Sequence, residues 1–306
     1  MLKHCGKLVL GCAFLSLAGC QTTSNNSGQS TAQHQEIDQL IISEPLTVNF
    51  KKEVALARIS DFLVNGEISQ EQRAKAYYDR GLLYDSFGLA NLARLDFNRA
   101  LRVDPKLAAA YNFLGIHYTL AGQFNKAYEA FDTTLELEPD HEYVYLNRGI
   151  SLYYGGKNKL AVEDLTKFHQ LDQTDPYRVI WRYLTEHKID KQRALDNLKQ
   201  NRENIPDSMW AKQVADLYLM NISEATFVNN LTKNIKSQTE LAERLCEAYF
   251  YLGIYARMYD QPDRALNYFK LSLATNVFEF VEHKYARREL LETRLEMHKN
   301  KMSQKP

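Results

Sequence analysis

Between Asn49 and Val64 the apolar residues Val54, Leu56, Ala57, Ile59, Phe62 and Leu63 fall at the three- and four-residue steps that line one face of a helix. A shorter apolar patch, Ile37 to Ile42, precedes Pro45, so residues 37–73 predict N-terminal helices, one and room for a second. Beyond them the pattern becomes periodic in a stricter sense. Gly81, Gly115 and Gly149 lie 34 residues apart, as do Gly88, Gly122 and Gly156, and as do Ala93, Ala127 and Ala161. Tyr77, Tyr111 and Tyr145 stand four residues before the first glycine of each unit, and Tyr84 and Tyr118 three after it. Phe97 and Phe131 follow the alanine, and Pro105 and Pro139 close the first two units. Separate registers that agree in three successive units mark a repeat architecture, in which each unit buries its apolar face on the next.

These offsets match the tetratricopeptide pattern of a bulky residue, Leu-Gly, Tyr, Ala, Phe and a closing Pro. They predict an all-α fold, a tetratricopeptide-repeat superhelical solenoid of helical hairpins with extra N-terminal and C-terminal helices. Residues 74–174 hold three clear repeats. In each, the first-helix glycine and second-helix alanine are expected to let the two backbones approach. The second glycine ends the first helix at positive φ, and the residue after the proline is expected to open the next hairpin. A C-terminal repeat at 246–279 has Tyr249, Leu252-Gly253, Ala265 and Phe269 at the same offsets, with Pro262 in its turn. Residues 175–245 read as degenerate hairpins. There Arg182 takes the glycine place before Ala194 and Pro206, and Trp210, Val214, Leu217, Phe227 and Leu231 keep helical spacing without the motif. A last helix at 280–298, with Val281, Tyr285, Leu290 and Leu291 as its apolar face, is expected to cap the array or fold back into it, leaving a basic tail at 299–306.

The start of the chain changes the picture. Lys3 and Lys7 precede an apolar run from Leu8 to Ala18, which ends in Leu17-Ala18-Gly19-Cys20. That is the layout of a secretory signal peptide. The run is about 16 Å long at about 1.5 Å per residue, too short for a hydrocarbon core of about 30 Å. Its ending reads as a bacterial lipobox, so 1–19 is expected to be removed and Cys20 to carry the lipid anchor, palmitate among its acyl chains. Gln21, not aspartate, follows it, which predicts placement on the outer membrane, facing the periplasm. One acyl chain holds a bilayer only weakly, and several hold it permanently. Residues 20–36 are polar and read as a lipidated flexible tether. Covalent lipid on Cys20 is the only attached group expected, with no cofactor and no metal. Cys246 is then the one free thiol of the mature chain, which excludes an intramolecular disulfide and suits a small buried hydrophobe.

Composition removes further classes. The chain has 306 residues and 45% hydrophobic content, enough for a core, and its 38 basic residues balance 38 acidic ones. No sequence-wide field draws it to nucleic acid. Catalytic motifs also fail. His141-Glu142 lacks the second imidazole one turn on, where Tyr145 stands, and Gly155-Gly156-Lys157 lacks the remaining residues of a phosphate loop. An enzyme is not expected. What remains is the concave face lined by first helices, where residues not needed for packing are free to read a partner segment. By register these are Lys75, Tyr78, Leu82, Asp85 and Ser86 in the first unit, Asn112, Ile116 and Thr119 in the second, and Tyr143, Asn147, Ile150, Tyr153 and Tyr154 in the third. Tyrosine gives large contact area for few lost rotamers, which makes Tyr78, Tyr153 and Tyr154 the expected anchors.

The stretch YDRGLLYDSFGLANLARLDFNRAL, with YNFLGIHYTLAGQFNKAYEAFDTTLELEPD, LNRGISLYYGGKNKLAVEDL, LYLMNISEATF, FYLGIYARMYD and VFEFVEHKYARREL, resembles the NlpI family of outer-membrane lipoproteins of gamma-proteobacteria. The resemblance runs from the lipobox to about Leu291. It implies a periplasmic homodimer acting as an adaptor, which docks the processing protease Prc, brings it the murein endopeptidase MepS, and scaffolds other murein hydrolases. Carried onto this chain, it implies that helices around Phe50 to Val64 contribute to the dimer contact and that the repeats between Ala74 and Asp175 hold protease or substrate. The competing expectation is a structural assembly lipoprotein for outer-membrane protein insertion or pilus and secretin biogenesis.

Overall fold

The computed structural model describes residues 41–303. The expected signal peptide at 1–19, Cys20, the tether at 20–36, the first four residues of the 37–73 segment and the last three of the basic tail lie outside the described residues. Among the described residues there are fourteen helices and no strand.

Helix α1 (Phe50–Asn65) is capped by the Asn49 side chain, which accepts from Lys51 N at 2.9 Å. Hairpins follow: α2 (Gln70–Ser86) with α3 (Ala90–Val103), α4 (Ala108–Leu120) with α5 (Phe124–Leu137), and α6 (Glu142–Tyr154) with α7 (Asn158–Leu171). Helix α2 begins at Gln70, four residues before the expected boundary. Ser69 and Gln72 form a reciprocal capping box there that satisfies two amide donors. The degenerate stretch contains one full hairpin, α8 (Pro176–His187) and α9 (Lys191–Arg202), then two short helices of about two turns each, α10 (Lys212–Tyr218) and α11 (Glu224–Asn230). Long α12 (Gln238–Met258) pairs with α13 (Pro262–Ala274), and α14 (Val281–Ser303) runs past the expected end at 298 to absorb most of the basic tail.

The turn chemistry follows the repeat. Gly88, Gly122 and Gly156 adopt φ of 73°, 72° and 74°, the left-handed conformation that ends a first helix. Asp260 takes the same offset in the last hairpin and the same conformation at φ 54°. Pro105 and Pro139 depart from expectation: the next helices start at Ala108 and Glu142, so each proline sits in the connecting turn. Pro176 and Pro262 do occupy first-turn positions, where the missing N–H costs nothing.

The first glycines work differently from expectation as well. A Cβ on Gly81 would stand 2.6 Å from the Phe97 ring, on Gly115 2.5 Å from Phe131, on Gly149 2.7 Å from Leu165 and on Gly253 2.3 Å from Phe269. Each glycine therefore makes room for the large side chain four residues beyond the alanine, while the alanines are buried beside it. The same face carries a paired exchange of chemistry. Arg80 grips Asp96 with Nη2 to Oδ1 at 3.0 Å, and Arg148 grips Asp164 with two contacts of 2.8 Å. The equivalent places in the middle repeat are Leu114 and Ala130, both buried. Charge has been replaced by apolar packing on both sides at once, which leaves no orphaned ion.

Cys246 is fully buried against Ser272, and burial pushes its thiol up to about 12. Thiol-reactive dye at pH 8 should leave Cys246 unlabelled in the native protein and label it in denaturant. Stoichiometric labelling of native protein within minutes would contradict the packing around α12.

Candidate functional site

The first helices α2, α4 and α6 present the expected groove positions, and the structure divides them into two sets. Lys75, Tyr78, Leu82, Ile116 and Tyr143 retain exposed or half-buried side chains. Lys75 pairs with Asp79 one turn on, at 2.8 Å, and Tyr78 leans on Phe97 and Phe113 with ring centroids 5.9 and 6.1 Å away. Tyr143 is 53% exposed, its ring 5.8 Å from Phe168.

The second set is turned inward, most of it buried and Ser86 and Tyr154 half-buried, and its expected role in reading a partner is corrected by what covers it. Asn112 and Asn147 are buried and hydrogen-bonded to each other, with Asn147 Nδ2 donating to Asn112 Oδ1 at 3.0 Å. Ile150 and Tyr153 are core. Thr119 is fully buried, its hydroxyl donating to Gly115 O at 2.8 Å, while Ser86 donates to Leu83 O at 2.9 Å. Tyr154 donates to Glu289 at 2.9 Å and stacks on Tyr285 with centroids 5.1 Å apart. Asp85 is buried between His117 and Lys284, whose Nζ lies 3.0 Å away. Burial alone would raise the Asp85 carboxyl, but His117 and the Lys284 ammonium outweigh it and hold it below the usual carboxylate range.

Lys284, Tyr285 and Glu289 all belong to α14. The last helix folds back along the first helices, and Arg288 donates at 3.1 Å to Thr119 O at the carbonyl end of α4. The inner half of the groove is therefore filled by the chain itself, and the half around Lys75, Tyr78 and Tyr143 stays open. The helix that fills it carried only a faint sequence signal: Lys284, Arg287 and Arg288 place three cations within little more than a turn, on a helix whose tail already read as basic.

The base of α14 is pinned by a second buried carboxylate. Tyr251 donates to Glu282 at 2.7 Å, and Glu247 on α12 accepts from Trp210 Nε1 at 3.1 Å. Burial, then the neighbouring Glu282, raises Glu247 well above the ordinary glutamate range. A raised folded-state pKa contributes stability that is complete below the unfolded value and is lost as pH rises through the folded one. Glu247→Gln keeps the acceptor and removes the ionisation. Its urea-unfolding stability should therefore gain on the wild type as pH rises from 5 to 8. A constant difference across that range would show that Glu247 does not titrate with folding.

No group of three or more His, Cys, Asp or Glu among the described residues could hold a metal ion. No helix among them is long and apolar enough to cross a membrane.

The tetratricopeptide repeat family profile matches residues 74–107. Solved structures similar to this chain include YrrB, described as a TPR protein with an unusual peptide-binding site, at 15% identity over 76% of this chain and 98% of that one, TM-score 0.42. Pseudomonas aeruginosa pilF is similar at 19% identity over 72% of this chain and 99% of that one, TM-score 0.43. A tetratricopeptide repeat protein from Parabacteroides merdae is similar at 15% identity over 80% and 100%, TM-score 0.48. With the in-phase hairpins, positive-φ glycines and ring-filled glycine notches described above, the fold is a tetratricopeptide-repeat solenoid.

Proposed function

We propose that this chain is a lipid-anchored periplasmic adaptor, held at the outer membrane through Cys20, that binds a processing protease and peptidoglycan hydrolases and controls the turnover of the hydrolases. The observation that carries this reading is the open half of the groove, where the first helices α2 and α6 offer Lys75, Tyr78 and Tyr143. The sequence stretches shared with the NlpI family supply the partners, Prc and MepS. Homodimerisation fits the exposed apolar residues of α1, where Phe50 and Val64 are 75% and 79% exposed and Phe62 is 42% exposed.

Deleting the gene should lengthen the half-life of the murein endopeptidase in pulse-chase measurement, and restoring the chain with Tyr78→Ala and Tyr143→Ala should fail to shorten it. An unchanged half-life on deletion would sink the adaptor reading. Crosslinking in cells that captured barrel-forming subunits in place of hydrolases would turn the assignment towards envelope assembly.

A further inference from the structure

Where α14 crosses the turns of the first two hairpins, the chain leaves a cleft of about 290 Å3. Its floor is apolar, made by Leu120, Ala121 and the Phe278 ring that lies against Gly88. Its walls carry four cations, Arg94, Lys284, Arg287 and Arg288, against one lining carboxylate, Asp85. That carboxylate is already engaged, by Lys284 at 3.0 Å and His117 at 3.2 Å. His283 adds no charge near neutral pH, because burial pushes it down to about 4.

The remaining cations are differently prepared. Arg288 is fixed: its guanidinium lies 4.8 Å from the Phe124 ring centroid and 5.0 Å from that of Tyr154, Nη1 donates to Thr119 O, and Nη2 to Glu292 at 2.5 Å. Its Nε is buried without a hydrogen-bond partner. Arg94 and Arg287 have neither a side-chain hydrogen bond nor an ion pair among the described residues. The local balance is positive even though the whole chain is neutral.

We propose that this cleft binds an acidic peptide segment of a partner protein, an apolar side chain resting on Leu120 and Phe278 while flanking Asp or Glu carboxylates meet Arg94 and Arg287. The volume is at the small end of ligand clefts, about 300–1,000 Å3, and suits a short run of side chains. The cations surround a recess with an apolar base. An anionic bilayer would instead call for a broad exposed face with apolar residues projecting from it. The proposal rests on the reading of the chain as a protein-holding adaptor and adds the chemistry of one partner segment.

The test uses the full mature chain and a fluorescein-labelled peptide with leucines set among glutamates, beside a twin in which glutamine replaces every glutamate. The acidic peptide should bind, weaken as salt rises, and lose at least about tenfold in affinity with Arg94→Glu and Arg287→Glu together, about 1.4 kcal/mol. Both side chains lack partners in the fold, so the double variant should melt like the wild type. Equal affinity for the two peptides, or unchanged binding by the variant, would overturn the proposal. So would binding to phosphatidylglycerol vesicles that the double variant loses while neither protein takes the peptide, an outcome that assigns the cleft to lipid. Peptide binding beside an unchanged hydrolase half-life on gene deletion would uphold the cleft and sink the adaptor reading, and no peptide binding beside a lengthened half-life would do the reverse.

Discussion

Phe131→Ala should destabilise the protein by about 3–5 kcal/mol, the range for emptying a fully buried aromatic site. The ring is fully buried and fills the notch left by Gly115, which has no Cβ to collapse into the space. Gly115→Ala should also destabilise, by about 1–3 kcal/mol, because its methyl would stand 2.5 Å from that ring. The two changes touch the same few cubic ångströms, so they should not add: the double variant should be more stable than the sum of the single effects requires. Urea unfolding of the three variants measures this directly. Strict additivity would mean that glycine and ring are not partners and that the notch reading of the repeat is wrong.

That coupling also explains which parts of the fold were legible. Gly115 and Phe131 lie sixteen residues apart in one hairpin, and the same offset returns at Gly81 with Phe97 and Gly253 with Phe269, so local repetition exposes the pairing even though alanine, not phenylalanine, looked like the glycine's neighbour. Asp260 shows the limit of motif reading. It does a glycine's work at positive φ, which aspartate tolerates better than most residues, but its identity gives no hint of it.

The course of α14 was far less legible, because its contacts join residues that repetition does not link. Tyr154 meets Glu289 across 135 positions and Thr119 meets Arg288 across 169, and just ahead of the helix Lys52 meets Glu279 across 227. The helix is rich in charged residues, and two of them, Glu282 and Glu289, are buried beside the few apolar ones. Leu291, expected on its apolar face, is 58% exposed and stands at the rim of the basic cleft. For the same reason the inner groove positions were assigned to a partner when the chain fills them itself.

Glu289→Ala should therefore have an effect out of proportion to a helix of that composition. The carboxylate is almost fully buried, accepts from Tyr154 and is in contact with Arg257, whose other carboxylate partner, Glu296, is 58% exposed. Removing Glu289 leaves the buried face of Arg257 without its counter-charge and the Tyr154 hydroxyl without its acceptor. Removing one member of a buried pair costs about 3–5 kcal/mol. The loss should fall first on α14, whose last turns are exposed, and its amides should exchange with deuterium faster than those of α4 and α6. Undocking would also uncover Tyr154, so binding of groove-directed partners should rise as α14 protection falls. Replacing both charges, with Arg257→Met and Glu289→Leu, should restore much of the protection, since an apolar pair of similar volume leaves no unpaired ion. Unchanged exchange along α14 in the Glu289→Ala protein would show that this helix is held by the ring contacts of Tyr285 with Tyr154 and Trp181, and that the buried ion pair is incidental to closing the groove.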